Sequence, residues 1–159
     1  MYTLTHAAIG FILCYLLFKD KRLALIGLLF GAIPDLDGLF IFFNYSMHLQ
    51  IHRTLLHPFI WGPIFVIPVV LLFKRYFKIS HIIVAGVLSY SMHIICDLFF
   101  TKSPIPILWP ISNFSIAIPI FKPMIMITEF LVIAIFITLI IHNFEYYAKL
   151  TRFYKKVYK

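Results

Sequence analysis

The chain has 159 residues, of which 62% are hydrophobic and only 13% are charged, and its mean hydropathy is +0.97. Soluble globular domains carry about 25% charged residues, so this composition excludes a soluble protein and indicates one that crosses a membrane several times. The 14 Lys and Arg residues outnumber the 6 Asp and Glu residues. In a membrane protein such an excess indicates cytoplasmic helix ends and contacts with anionic lipid, so nucleic acid is not the expected partner.

The apolar runs predict an all-α, polytopic membrane bundle with about five transmembrane helices, at residues 4–18, 23–43, 58–73, 81–100 and 124–142. The second run carries Gly27 and Gly31 at a spacing that allows close helix approach. It is predicted to be interrupted at Pro34, because proline removes a backbone donor. The Pro-rich segment 102–123 is predicted to lie in the membrane interface or to re-enter the bundle. Residues 1–143 are expected to form one transmembrane domain. Residues 144–159 are expected to form a basic amphipathic cytoplasmic tail on anionic lipid or, alternatively, a partner-binding arm.

The basic residues also predict how the chain is oriented. They cluster at 19–22, at 74–78 and after residue 149, and two predicted crossings separate each cluster from the next. All three clusters should therefore lie on one side, which the positive-inside rule assigns to the cytoplasm. We expect a protein of the cell (inner) membrane with its N-terminus outside and its C-terminus in the cytoplasm.

Acidic and imidazole side chains predict a metal site near the outer side. Asp35 and Asp37 lie inside an apolar run, where an ionisable group costs roughly 2.5 to 3.5 kcal/mol and needs a partner. His93 and Asp97, spaced i and i+4, share one helix face, which Gly86, Ser89 and Tyr90 continue. The predicted ligands are His6, Asp35, Asp37, His52, His57, His93 and Asp97. The alternatives are a structural hydrogen-bond network and a pairing of Asp97 with Arg53.

A donor set of imidazoles and carboxylates suits Zn, with Mn, Fe or Ni as alternatives. Seven candidates exceed the ligand number of one catalytic zinc, so two ions bridged by an Asp are also predicted as an option. Asp37 could be a ligand or could support one. Arg53 is predicted to bind a substrate phosphate, or to reach the interface as a snorkelling cation. Glu129 is predicted to act as a general acid or base, or to make a structural hydrogen bond.

The ordered set Thr5-His6, Pro34-Asp35-Leu36-Asp37, His52-Arg53 with His57, His93 with Asp97, and Leu108-Trp109-Pro110 resembles a known family. This is the LexA-binding, inner-membrane-associated hydrolase family, also described as membrane-bound metal-dependent hydrolases. The resemblance covers about residues 1–110. The chain differs from the family pattern at two places. It has Thr54 where the family usually has Gly, and Leu-His-Pro at 56–58 where the family usually has Thr-His-Ser. The His-x-x-x-Asp element is more distantly similar to that of zinc-dependent phospholipases C and P1-type nucleases, which implies phosphoester hydrolysis.

Together these observations predict a membrane-embedded metal-dependent hydrolase. It would cleave a phosphoester in a lipid or lipid-linked substrate through a metal-activated water at the extracytoplasmic face. Two other classes remain open at this point. One is a metal ion or proton transporter, since intramembrane His and Asp residues also form ion pathways. The other is a noncatalytic membrane partner protein whose metal is structural.

Overall fold

A computed structural model describes residues 2–46, 51–52, 54–100, 104–116, 118 and 122–157, the side chains of 122–123 and 143–157 excepted. The helices are α1 (Thr3–Phe18), α2 (Lys21–Ala32), a 3-10 helix (Ile33–Phe42), α3 (Trp61–Phe73), α4 (Ile79–Phe100) and α5 (Lys122–Val157). Within these residues no strand is formed beyond one isolated bridge between Ile105 and Ile116. The predicted all-α class is confirmed.

Three segments are long and apolar enough to cross a membrane: Lys21–Phe42, Ile79–Phe100 and Met124–His142. The helices α1 and α3 are equally apolar but have only 16 and 13 residues. At 1.5 Å per residue they measure about 24 and 20 Å, against a hydrocarbon core of roughly 30 Å. A membrane bundle is therefore established, whereas the number of five crossings stays a prediction.

A tight turn between α1 and α2 carries the first basic cluster. Lys19 adopts a left-handed conformation with φ 53°, and its N–H donates to the carbonyl of Tyr15. Asp20 caps α2 by accepting a hydrogen bond from the backbone N–H of Arg22 at 2.8 Å, and its carboxylate also pairs with the Arg22 guanidinium. The Arg22 side chain lowers the pKa of Asp20 below its ordinary value of 3.8.

Glycines let α1 and α2 cross at close range. A Cβ on Gly27 would collide with the carbonyl oxygen of Gly10, and a Cβ on Gly31 would collide with the carbonyl oxygen of His6. The sequence predicted close approach from Gly27 and Gly31, and the structure confirms it and adds Gly10 on the facing helix. Backbone contact at these points fixes His6, near the start of α1, beside the end of α2.

The helix α4 is the centre of the bundle, and α1, α2 and α3 pack against it. Its buried residues recur at helical spacing and are Ile82, Ala85, Gly86, Ser89, Tyr90, His93, Ile94, Cys96 and Asp97. The predicted polar stripe therefore faces the interior. Both cysteines, Cys14 and Cys96, are buried and free.

The bundle has two chemically different ends. The Arg22 guanidinium carbon lies 5.0 Å above the ring of Phe77, so the basic clusters at 19–22 and 74–78 share one end, as predicted. We call this the basic end. The other end holds His6, Gly31 and His93, which lie in contact with one another, and we call it the acid–imidazole end.

The helix α5 lies on the outside of the bundle. Glu129 accepts a hydrogen bond from the backbone N–H of Tyr2 at 2.9 Å, and the ring of Phe136 meets that of Phe11 edge-on at 5.2 Å. These contacts direct α5 from the acid–imidazole end toward the basic end. The helix continues to Val157, so the predicted boundary at residue 143 falls inside it.

Candidate metal centre

The 3-10 helix explains how two acids of one short segment both face the interior. A 3-10 helix has 3.0 residues per turn, so positions i and i+2 lie about 120° apart around its axis, against about 160° in an α-helix. Asp37 is fully buried, and the side chain of Asp35 is only 10% exposed. Leu36 and Leu39 point outward. The α-helix changes to the 3-10 helix at Ile33, one residue before Pro34, and the interruption at Pro34 itself stays a prediction.

Four side chains from three separate segments meet at the acid–imidazole end. One ligand atom from each of Asp35, His57, His93 and Asp97 lies within 4.8 Å of the other three. The Nε2 atom of His57 is 3.8 Å from Asp35 Oδ1 and 3.4 Å from Asp97 Oδ2. The Nε2 atom of His93 is 3.6 Å and 4.0 Å from the same two oxygens. We call these residues the four-ligand cluster.

The backbone fixes the orientation of His93. Its Nδ1 lies 2.7 Å from the carbonyl oxygen of Gly31, which can only accept a hydrogen bond. The Nδ1 atom therefore carries the proton and donates, and Nε2 presents its lone pair to the cluster. Metal-binding histidines are commonly held in this way by a backbone carbonyl.

Three further polar residues hold the cluster from outside. Asp37 contacts two imidazoles, with Oδ1 at 2.8 Å from His52 Nδ1 and Oδ2 at 3.4 Å from His57 Nδ1. His6 contacts Asp97, with Nε2 at 2.9 Å from Oδ1, and its ring stacks on His93 with centroids 3.9 Å apart. On the side away from the cluster, the ring of His57 therefore faces Asp37 and the ring of His93 faces the Gly31 carbonyl. The ring of His6 is stacked on His93 as well.

The donor set fits a divalent metal. A tetrahedral ion with bonds of about 2.0 to 2.2 Å places neighbouring ligand atoms roughly 3.3 to 3.6 Å apart. The four nitrogen–oxygen separations of 3.4 to 4.0 Å are close to that spacing, and all the ligand atoms lie within 4.8 Å of one another. The Nε2 atoms of His57 and His93 are buried without a hydrogen-bond partner among the residues that the structure describes. Such atoms are costly to bury unless they bind something.

The family model of the YdjM inner membrane protein matches residues 1–154. The chain belongs to this family. A search of the curated proteins and of the solved structures found no match.

Membership of the YdjM inner membrane protein family agrees with the three helices of spanning length and assigns the protein to the inner membrane. The family model matches residues 1–154, whereas the resemblance to the metal-dependent hydrolases covers only about residues 1–110. The hydrolase chemistry that the resemblance implies remains a proposal.

The structure brings together most of the residues predicted for the site. The predicted convergence is confirmed for Asp35, His57, His93 and Asp97. His6, Asp37 and His52 contact the cluster or its supports. Arg53 lies outside the described residues.

Glu129 is placed differently from the catalytic interpretation. Its carboxylate accepts a hydrogen bond from the backbone N–H of Tyr2, just before α1 begins. Glu129 is not one of the four residues of the cluster. This contact is the structural hydrogen bond that the sequence left open as the alternative.

Two supporting groups were not predicted. The Gly31 carbonyl holds His93, and the Tyr90 hydroxyl donates to the carbonyl of Leu56, next to His57. A backbone carbonyl has no signal in the sequence, so Gly31 could not be found in this role. Tyr90 did have a signal, because it continues the polar stripe of His93 and Asp97.

Proposed function

We propose that this protein is a metal-dependent hydrolase of the inner membrane that cleaves a phosphoester in a lipid or lipid-linked substrate. The observation that carries the proposal is the four-ligand cluster, in which two buried imidazoles face two carboxylates and their Nε2 atoms have no hydrogen-bond partner among the described residues. The ligand number suits one divalent ion. The described residues gather into one such group, so we propose a single ion, with Zn as the first candidate.

The bound ion would lower the pKa of a coordinated water and stabilise charge on the attacked phosphoryl group. The remaining chemistry falls to the chain itself. Asp37 orients His57, and His6 holds the outer oxygen of Asp97. Arg53 directly follows His52 in the chain, and we propose it as the group that binds the substrate phosphate.

The cluster is accessible from one side. Among its ligands only Asp35 has notable exposure, and the neighbouring His52 side chain is 29% exposed. A Cβ on Gly38, one 3-10 turn beyond Asp35, would have no atom of another described segment within 4 Å. This side belongs to the spanning segment Lys21–Phe42, which presents Leu36 and Leu39 outward. A substrate with an apolar tail could rest on these leucines and present its phosphoester to the cluster.

The two ends of the bundle support an orientation. The basic end would face the cytoplasm by the positive-inside rule. The acid–imidazole end, and with it the cluster, would then face the extracytoplasmic side. The N-terminus would be outside and the C-terminus, after α5, would be inside.

A transporter is a weaker proposal because polar residues do not continue through the bundle. Among the described residues, the buried core between the cluster and the basic end is apolar apart from Ser89 and Cys14. These two contact each other at 3.3 Å. Phe30, Ile82 and Leu23 fill the core further toward the basic end.

The test is a hydrolysis assay with the purified full-length protein, loaded with Zn or Mn, on a panel of phospholipids and lipid-linked phosphates. We expect metal-dependent release of headgroup or phosphate, and loss of more than about 10²-fold in rate for Asp97→Asn. His81→Gln, on α4 near Phe18 at the basic end, is the matched control and should retain activity. No turnover on any substrate would contradict the proposal. Metal flux into proteoliposomes would favour transport, and bound metal with neither activity would favour a structural role.

A further inference from the structure

A groove of about 450 Å³ lies between α2 and α3, on the outer surface of the bundle and away from the four-ligand cluster. Both helices pack against α4 and leave this space between them. Its walls are apolar, with Leu25 and Leu29 on α2 and Val69 and Phe73 on α3. Leu25 and Leu29 are each about half exposed, so the groove is open to its surroundings along its length.

The mouth of the groove is cationic and aromatic. Arg22 lines it at the start of α2, together with Tyr76 and Phe77 beyond the end of α3. The Arg22 side chain is 69% exposed, pairs with Asp20 and stacks over Phe77. Its partner Asp20 is the only acid in the two basic clusters at 19–22 and 74–78, which hold the six basic residues Lys19, Lys21, Arg22, Lys74, Arg75 and Lys78.

The groove therefore has positive charge at the membrane surface and apolar walls at depth. From Arg22 to Leu29 the helix advances seven residues, which is roughly 10 Å along the candidate spanning segment Lys21–Phe42. A phospholipid has the same order of chemistry, with a phosphate at the surface and an acyl chain below it. Basic pockets between transmembrane helices are known to bind anionic headgroups.

We propose that this groove binds an anionic phospholipid, with its phosphate against Arg22 and one acyl chain between α2 and α3. Arg22 is the cation in the lining of the groove, and the two basic clusters around it hold six basic residues to one acid, so an anionic headgroup is favoured over a zwitterionic one. Tyr76 and Phe77 suit the interface between headgroup and acyl chain, where aromatic residues are enriched. This site is separate from the proposed catalytic cluster and does not depend on hydrolase activity.

A second groove provides an internal comparison. It has a volume of about 380 Å³, lies between α3 and α4, and is lined by apolar residues such as Ile67, Leu71 and Val87. No charged residue lines it in the part of the chain that the structure describes. It offers space for an acyl chain but no selectivity for a headgroup, so preference for anionic lipid should belong to the first groove.

The test is native mass spectrometry of the full-length protein released from neutral detergent, titrated with phosphatidylglycerol or phosphatidylcholine of identical acyl chains. We expect one phosphatidylglycerol to be retained at least about tenfold more tightly than phosphatidylcholine. Arg22→Gln removes the cation and should abolish this preference. Leu29→Trp fills the groove without changing the charge and should weaken retention of phosphatidylglycerol.

Two variants serve as controls. Lys122→Gln removes one charge at the start of α5, at the acid–imidazole end. Leu72→Trp adds the same bulk at an exposed position of α3 that does not line either groove. Both should bind phosphatidylglycerol like the unmodified chain.

Four outcomes would overturn the proposal. Equal retention of the two lipids, or equal effects of Arg22→Gln and Lys122→Gln, would show that the mouth selects no headgroup. Displacement of phosphatidylglycerol by millimolar inorganic phosphate would mean that the acyl groove contributes nothing. A dimer that Leu29→Trp dissociates would show that a second copy of the chain occupies the groove.

Discussion

The carboxylate of Asp37 lies against the back of His57, with Oδ2 3.4 Å from Nδ1, while Nε2 of the same ring faces Asp35 and Asp97. This arrangement, in which a buried acid orients an imidazole whose other nitrogen is available, is common behind metal-binding histidines. In the proposed metal centre Asp37 would therefore support His57 as a ligand, and its other oxygen contacts His52.

Replacing Asp37 by Asn should weaken metal binding without abolishing it. The amide keeps the shape of the side chain but loses the charge that orients His57, and loss of such support typically costs about 10- to 100-fold in metal affinity. Competition with a chromophoric chelator measures the change. Asp20→Asn, at the basic end, removes an equivalent charge and should leave the affinity unaltered. A variant of Asp37 that binds as tightly as the parent would contradict this role.

Gly31 and Gly38 give a matched pair of substitutions. A Cβ on Gly31 would meet the carbonyl oxygen of His6 and push α1 away from α2, whose Gly31 carbonyl holds His93. A Cβ on Gly38 would meet no other segment within 4 Å in the part of the chain that the structure describes. Gly31→Ala should therefore lower stability by about 1 to 3 kcal/mol and reduce bound metal. Gly38→Ala should do neither. Thermal unfolding and metal analysis of both purified variants measure the contrast, and equal behaviour would be evidence against the close crossing.

A large side chain at Gly38 tests the approach to the cluster. Gly38→Trp should fill the open side next to Asp35 while leaving all four ligands intact. We expect unchanged metal content after full equilibration, slower removal of the metal by a chelator, and at least about tenfold lower turnover. Gly38→Ala is the control and should match the parent in all three. Unaltered chelator kinetics in Gly38→Trp would place the approach elsewhere.

Substitutions of Glu129 distinguish a structural hydrogen bond from a role in proton transfer. Its carboxylate accepts the Tyr2 N–H at 2.9 Å, and the amide oxygen of Gln can accept the same bond. Glu129→Gln should therefore leave metal content, stability and activity essentially unchanged, whereas Glu129→Ala should lower stability by about 1 kcal/mol. If Glu129→Gln abolished hydrolysis in a folded, metal-loaded protein, the general acid or base interpretation would be reinstated.

The sequence predicted which side chains gather, because charged and imidazole groups in apolar segments are costly and must find partners. Asp35, His57, His93 and Asp97 are among the seven residues that the sequence predicts as ligands. The shared basic end follows from counting the crossings between the clusters. The spacing of Gly27 and Gly31 predicts a close helix approach, and the structure shows that the partner is α1.

Other features depend on backbone geometry, which residue types specify weakly. A proline after an α-helix is compatible with a kink, an end or a change to a 3-10 helix, so Pro34 alone could not show how Asp35 and Asp37 both turn inward. The seven predicted ligands could not be sorted into four that converge and three that support them. That division depends on distances of an ångström or two between side chains of distant segments.

The most direct test of the account is the metal content of the protein purified without affinity tags that bind metal. Inductively coupled plasma mass spectrometry should find one divalent ion per chain in the parent and in His81→Gln. His93→Gln and Asp97→Asn, each of which removes one side of the four-ligand cluster, should bind less than a tenth of that amount while remaining folded. A parent protein that binds no stoichiometric metal after incubation with Zn or Mn, or equal metal in His93→Gln, would contradict the account.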